Sequence, residues 1–383
     1  MRIGVFISGR EDMAVLARIY ELMSRRFKVY LYDVSPETGW FEKGIQYISL
    51  GYEKASPTYR YGMRDEDIER EMVKISEEDG LDYILFYGSR AAVLPFIYYA
   101  WKSSIPIIHI GSGLRSYMYT HNESIRQLVD YLSSIHITIR NIHTVNLSSE
   151  GYPSEKIYEY GYPLIDTLES IFPRAISRST ILDEMGVDEG EYVSIYIDLE
   201  ESIRHINELI EFSDKTNEFI ILPLSRRLKR LLMEDDKYYS LMERHDVLFM
   251  ELFDYIDHLA FLYYSKSVIT DDEWIYIESL ILGKPGILFR VDEPPLILPS
   301  EANVVRVSRN MSRLIASKYL HRPNINVRGI LGGRGVSESI INHINRVDIE
   351  RPNMVFPGLR IRDGDRIRII PKGEIDIYRR YVV

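Results

Sequence analysis

Glu123 and Arg126 stand three residues apart where a segment of helical period begins, so their side chains share one face. A carboxylate in that position can take up a proton, and the guanidinium beside it can grip a carboxylate or a phosphate. The same pair also reads as a first-turn acid joined to its own arginine. Arg10 and Asp12 follow the first apolar run, at the junction of a strand's carboxyl end and a helix, where α/β proteins hold ligands. Asp12 can equally cap that helix. His109 ends another apolar run, either as an acid–base group or as a hydrogen-bonded core residue. Arg115 and Arg290 are candidate phosphate contacts. The nine histidines are scattered, and Asp271-Asp272-Glu273 is a run whose neighbours point to different sides, so no metal constellation is read. With neither GxGxxG nor GxxxxGK[ST] present, no cofactor is expected.

The elements that must position these groups alternate. Strands are expected over 2–8, 27–33, 83–87, 105–110 and 135–139, with helices at 11–24, 65–79, 90–102 and about 122–133. An irregular stretch, 35–64, carries several glycines and prolines. After Gly161-Tyr162-Pro163, which looks like a hinge, strands are expected at 192–198, 218–223, 246–250, 267–270 and 286–290. Helices are expected at 200–212, 224–235, 254–264, 273–282 and 336–346. Such alternation is the mark of βαβ units and parallel sheets. The expected domains are residues 1–163, residues 164–346, and an appended β-hairpin tail over 347–383. Within the tail, 351–383 holds eight Lys and Arg against four Asp and Glu, with hairpin signals at Asp363-Gly364 and Lys372-Gly373.

Length and composition agree with two soluble α/β domains: 383 residues, 45% hydrophobic and 27% charged. A net charge of −10 argues against nucleic acid or an anionic membrane surface as partner. No apolar stretch approaches the roughly 18 residues that a membrane helix needs, and the cytoplasm is the expected location. The absence of cysteine excludes disulfides, thiolate metal sites and a cysteine nucleophile. Only two glutamines, Gln46 and Gln127, occur among many charges, a composition that suggests a source growing hot.

Ile108 to Ser134 reads IHIGSGLRSYMYTHNESIRQLVDYLSS. A strand ending in His, a small-residue turn, a loop and a helix opening on Glu-Ser-Ile-Arg resemble the centre of the UDP-N-acetylglucosamine 2-epimerase family. The helix start is nearest its hydrolysing branch, and Gly113-Leu114-Arg115-Ser116 nearest its non-hydrolysing one. Ser8-Gly9-Arg10-Glu11-Asp12, Gly88-Ser89-Arg90, Gly161-Tyr162-Pro163-Leu164-Ile165-Asp166, Glu278-Ser279-Leu280-Ile281-Leu282-Gly283-Lys284-Pro285 and Gly333-Arg334-Gly335 follow in the family's order. The resemblance spans residues 1–346. It implies two Rossmann-like domains facing a cleft, in the glycosyltransferase-B arrangement, and a homodimer. It further implies elimination of UDP from a UDP-sugar to a glycal, then addition of UDP or water from the other face. Glu278 would accept hydrogen bonds from the ribose hydroxyls.

The chain departs from the family at several positions. Ser89 stands where the family has Asp, and its turn acid would fall at Gly111 or Leu114. Its second-domain histidines fall near Ile197 and Ser225, and its first-turn Lys is Val15. Asp271-Asp272-Glu273 replaces a Ser/Gly-rich phosphate loop, where three carboxylates would repel a diphosphate. The leading expectation is a divergent epimerase-like protein acting on a nucleotide-activated amino sugar. A catalytically inactive binding descendant and a glycosyltransferase on the same scaffold are the alternatives.

Overall fold

In the first apolar run every residue after Arg2 is buried, so strand β1 (Arg2–Ile7) needs apolar side chains at consecutive positions. Parallel strands covered on both faces impose that pattern. The structure is a computed structural model that describes residues 1–34, 80–118, 120–234, 237–251, 253–290, 295–298, 302–306 and 310–346, a strand at 56–57, a few residues between 67 and 79, and the hairpin strands near the C-terminus. The expected helix at 65–79, most of the irregular stretch 35–64 and the Lys372-Gly373 turn lie outside the described residues.

β1 feeds α1 (Arg10–Ser24), which buries Met13, Leu16, Ala17, Tyr20 and Met23 at helical spacing. There follow β2 (Lys28–Asp33), β3 (Ser56–Pro57), β4 (Tyr83–Tyr87), α2 (Leu94–Lys102), β5 (Ile107–Ile110) and α3 (His121–Leu132). β6 (Ile135–Thr138), α4 (Asn141–Ser149) and β7 (Ile157–Glu159) complete a parallel sheet of order β3-β2-β1-β4-β5-β6-β7. α5 (Leu164–Arg178) and α6 (Ile181–Met185) then lead to β8 (Tyr192–Tyr196), α7 (Glu200–Arg204), α8 (Ile206–Thr216) and β9 (Phe219–Leu224). α9 (Arg226–Glu234), α10 (Lys237–Met242), β10 (Val247–Glu251), α11 (Tyr255–Tyr264), β11 (Ser267–Thr270), α12 (Glu273–Ile281) and β12 (Gly286–Arg290) follow. β13 (Val304–Arg306), α13 (Met311–Lys318) and α14 (Val327–Ile330) come next. The second sheet, also parallel, runs β10-β9-β8-β11-β12-β13. The chain ends with α15 (Val336–Ile344) and the antiparallel pair β14 (Leu359–Asp363) and β15 (Arg366–Ile370).

Two compact units result. One holds the described parts of 1–37, 52–166 and 330–383, the other the described parts of 167–329. α15, which the sequence reading places in the second domain, belongs to the first unit. Asp166 caps it by accepting the N–H groups of Gly335 (2.7 Å) and Ser337 (2.6 Å), and Arg26 of the turn after α1 donates to Asn342 (2.7 Å). Gly161 is required at its position: φ is +105°, and a Cβ there would lie 2.5 Å from the Leu331 carbonyl oxygen.

The second core packs α8 and β8–β9 through Val193, Ile195, Leu209, Phe212 and Ile220. The helix expected at 200–212 is two helices, because the chain leaves helical geometry at His205 (φ −102°, ψ 18°). α4, α5, α6, α10, α13 and α14, and the strands β3, β7 and β13, are absent from the sequence reading; α5 carries Pro173 inside it. In the tail Asp363 ends β14 and pairs with Arg366, so it is a strand residue and not, as Asp363-Gly364 suggests, the first of two turn residues.

Candidate active site

The order of the first sheet reverses between β1 and β4, and that of the second between β8 and β11. Open α/β sheets hold ligands at the carboxyl ends of strands where the order reverses. Residues 8–12 and 87–90 therefore form one candidate edge, and residues 197–199 and 271–273 another.

At the first edge Gly9 opens α1, and the Arg90 guanidinium lies directly over it: a Cβ on Gly9 would meet Arg90 Cζ at 2.9 Å. Arg90, half-exposed, faces Glu11 at 3.9 Å and the buried Asp12 at 3.8 Å. Asp12 accepts the Ser8 N–H (2.7 Å) and the Ser8 hydroxyl, which fixes the strand-to-helix turn. Burial pushes its carboxyl above the usual carboxylate range, against the pull of Arg90 and the Ser8 hydrogen bonds. Glu11 accepts the Tyr87 hydroxyl at 2.7 Å and the Tyr162 hydroxyl at 3.3 Å. Desolvation and the Glu11 charge raise the Tyr87 phenol well above its ordinary value, so Tyr87 is a donor at neutral pH. Its ring also fills the space beside Gly111 (φ +84°), where a Cβ would come to 3.0 Å from Tyr87 Cε2. Gly111, one of the two positions at which the family's turn acid would fall, thus faces a phenol that reaches a carboxylate on α1.

Behind this edge lies a buried ionic network. Asp130 of α3 is fully engaged: one oxygen accepts His109 Nδ1 (2.7 Å) and the Ser112 hydroxyl, the other the Gly113 N–H (3.1 Å) and Arg115 Nη1 (2.7 Å). These donors hold its carboxyl far below the usual carboxylate range despite burial, which opposes them. His109 also meets the Gly88 carbonyl through Nε2 (2.8 Å) and stacks on Phe86. It therefore ties the end of β4 to α3. Ser112 gives its hydrogen to Asp130, so His136 Nδ1 donates to Ser112 (2.9 Å); burial pushes His136 down to about 4 and keeps it neutral. Arg115 is fully buried, donating to Glu150 at 2.9 and 2.7 Å and to the Leu114 carbonyl at 2.7 Å.

Glu123 caps the loop that precedes its own helix. It accepts the Ser116 N–H (2.8 Å) and hydroxyl (2.9 Å), Arg126 (3.1 Å) and Gln127 (3.3 Å). Although burial opposes them, these bonds lower its pKa, away from the range of an acid that must trade protons at neutral pH. Arg126, itself buried, completes the pair.

At the second edge each acid sits on backbone N–H groups. Asp271 accepts Asp198 (3.1 Å) and Leu199 (2.9 Å), and desolvation pushes its carboxyl up to about 7. Asp272 caps α12 through the Trp274 N–H (2.8 Å). Glu273 accepts Leu296 (3.0 Å), Ile297 (2.9 Å) and Leu298 (3.4 Å). Ser225 donates to Asp198 at 2.6 Å and caps α9 by accepting the Leu228 N–H. Deeper in, the wholly buried Glu278 binds the Tyr255 hydroxyl and His258 Nε2 (2.8 Å), and His258 Nδ1 meets Tyr196 (2.9 Å). Among the described residues no group of three or more His, Asp or Glu could hold a metal ion.

Of the residues singled out in the sequence, Arg10, half-buried at the head of α1, and Asp12 share the first edge. His109, Arg115, Glu123 and Arg126 are drawn into the network behind it. Arg115 is a correction: expected to touch phosphate, it has no solvent-exposed side-chain surface, and its guanidinium is matched by Asp130 and Glu150. Glu278 is likewise committed to the core. Arg290 ends β12, and its side chain lies outside the described residues. Sequence reasoning missed Glu11, Tyr87 and Arg90 as a group, although their places beside the two strand ends were visible.

Two parallel sheets, each with ionisable groups at its reversal, define an α/β protein of two Rossmann-like units, and its fold neighbours are glycosyltransferase-B-like. The model of the family described as UDP-N-acetylglucosamine 2-epimerase matches residues 67–326, and the chain belongs to that family. A UDP-N-acetylglucosamine 2-epimerase of Methanocaldococcus jannaschii is 29% identical over 262 residues, 65% of this chain and 70% of the relative. A UDP-N-acetylglucosamine 2-epimerase homolog of Methanococcus maripaludis is 24% identical over 76% of this chain and 84% of its own length. The crystal structure of the M. jannaschii UDP-GlcNAc 2-epimerase in complex with UDP-GlcNAc and UDP superposes with a TM-score of 0.78 at 18% identity, covering 91% of this chain and all of that one. The Neisseria meningitidis enzyme bound to UDP-GlcNAc gives 0.75 at 18% identity, with 91% and 100% covered. The protein is thus a divergent UDP-N-acetylglucosamine 2-epimerase-like chain.

Proposed function

We propose that this protein acts on a nucleotide-activated amino sugar, with the sugar chemistry at the head of α1 in the first unit. The observation that carries this reading is the Arg10, Glu11, Tyr87 and Arg90 group at the first sheet's reversal. Elimination requires a base for the C2 proton and positive charge for the departing diphosphate. Glu11, oriented by the Tyr87 and Tyr162 hydroxyls, is the proton acceptor; the C2–H electrons form the C1=C2 bond as the C1–O bond breaks. Arg90, Arg10 and the N–H groups of the α1 start receive the leaving charge. Asp12 positions the turn, and Glu123 and His109 hold the loop and strand end behind it. UDP-sugar binding, a homodimer and a cytoplasmic location are carried over from the family. A sedimentation run that gives monomer only would remove the dimer.

The test is a proton NMR time course with UDP-N-acetylglucosamine in D2O. Loss of the C2 proton signal, abolished by Glu11→Gln with the fold intact, is the expected result. A spectrum unchanged by the wild-type protein sinks the enzymatic reading for this substrate. The second reading, a binding protein without turnover, draws on Ser89, Ile197 and Ser225, which stand where the family has an acid and two histidines, and on Gly111 and Leu114, neither of which can move a proton. It predicts UDP-sugar binding with no exchange at C2.

A further inference from the structure

The N–H groups of Leu296, Ile297 and Leu298 converge on one carboxylate, Glu273, which leads α12 at the reversal point of the second sheet. Consecutive backbone N–H groups that close on an anion form a cradle of the kind that binds phosphate. Here the anion belongs to the protein and comes from a residue more than twenty positions away in the chain. The other donors at this edge are engaged in the same way: Asp272 takes the Trp274 N–H, and Asp271 those of Asp198 and Leu199. An incoming diphosphate finds these donors in use and meets in the cradle the Glu273 carboxylate, a group of its own sign.

We infer that Glu273 is a specificity-determining residue: its carboxylate substitutes for a ligand phosphate in the 296–298 cradle, and a diphosphate binds the second unit only by displacing it. This rests on the proposed use of a nucleotide diphosphate and adds what controls its entry. Because Glu273 competes with the phosphates and not with a nucleoside, its removal has a selective effect.

The experiment is calorimetric titration of the full-length wild type, Glu273→Ala and Glu273→Gln with UDP, inorganic pyrophosphate and uridine. UDP and pyrophosphate are expected to bind at least tenfold more tightly to Glu273→Ala, and Glu273→Gln to gain in the same direction with the loop contacts retained. Uridine is expected to be unaffected. Equal or weaker UDP binding in folded variants overturns the inference, as does an equal gain for uridine, which would mean general loosening. If Glu273→Ala does not fold, Glu273→Gln decides by the same criteria. Turnover with UDP affinity indifferent to residue 273 refutes this inference and leaves the proposed function standing. A selective gain in UDP affinity without C2 exchange does the reverse.

Discussion

Replacing Arg115 by Met separates an internal strut from a ligand contact. The guanidinium has no exposed side-chain surface and neutralises two buried acids, Asp130 and Glu150, at 2.7 Å each. Met fills much the same volume but leaves both carboxylates without their cation. Removing one partner of a buried ion pair costs about 3–5 kcal/mol, because the remaining charge is stranded. At about 2–4 °C per kcal/mol for a domain of 150–250 residues, the melting temperature of the first unit falls by roughly 6–20 °C. Differential scanning calorimetry of the full chain, with UDP titration in parallel, reads both quantities. Arg115→Met combined with Glu150→Gln recovers part of the loss, since one stranded charge is gone. Asp130, held far below its unfolded value, contributes stability that is present above about pH 4 and lost as pH falls. A melting temperature within about 2 °C of wild type, together with weakened UDP binding, would refute the strut and restore the phosphate contact.

Three further outcomes follow from the same physics. His136, neutral when folded with a pKa of about 4, gains a proton on unfolding, so stability drops by about 3 kcal/mol as pH falls from about 6.5 to 4. His136→Asn flattens that part of a pH-dependent melting series. Asp271, raised to about 7, holds a proton in the folded state that the unfolded chain releases. Its contribution is full below about pH 4 and lost as pH rises through about 7, and Asp271→Asn removes this slope from urea unfolding curves. Gly161→Ala forces a methyl against the Leu331 carbonyl at positive φ and costs about 2–4 kcal/mol in chemical denaturation.

Much of the scaffold was legible because the two periods of burial are local. Continuous apolar runs such as Ile3–Ile7 and Ile84–Phe86 marked buried parallel strands, and the spacing of Met13, Leu16, Tyr20 and Met23 marked a helix face. α5 was less legible because Pro173 interrupts its pattern, and α4 because its apolar residues mark no single face: Leu147 is buried while Ile142 and Val145 are exposed. The order of family landmarks gave the fold class through their sequence, which no single motif could do.

The sequence by itself determined the α/β alternation, the family and the neighbourhoods from which site residues come. Strand ends, turns and helix starts are local and leave their marks in residue type. The tertiary structure decided which of those residues are available. Arg115 and Glu278 were plausible ligand contacts until long-range pairing joined them to Glu150 and to His258. Tyr87 became part of the site only because β4 lies beside β1 and its hydroxyl reaches Glu11. Glu273 changed from a charge that repels phosphate to one that occupies its cradle when the 296–298 segment folded onto α12. A charge's role depends on its distance from its counter-charges and on how far water is excluded, and both are properties of the folded chain.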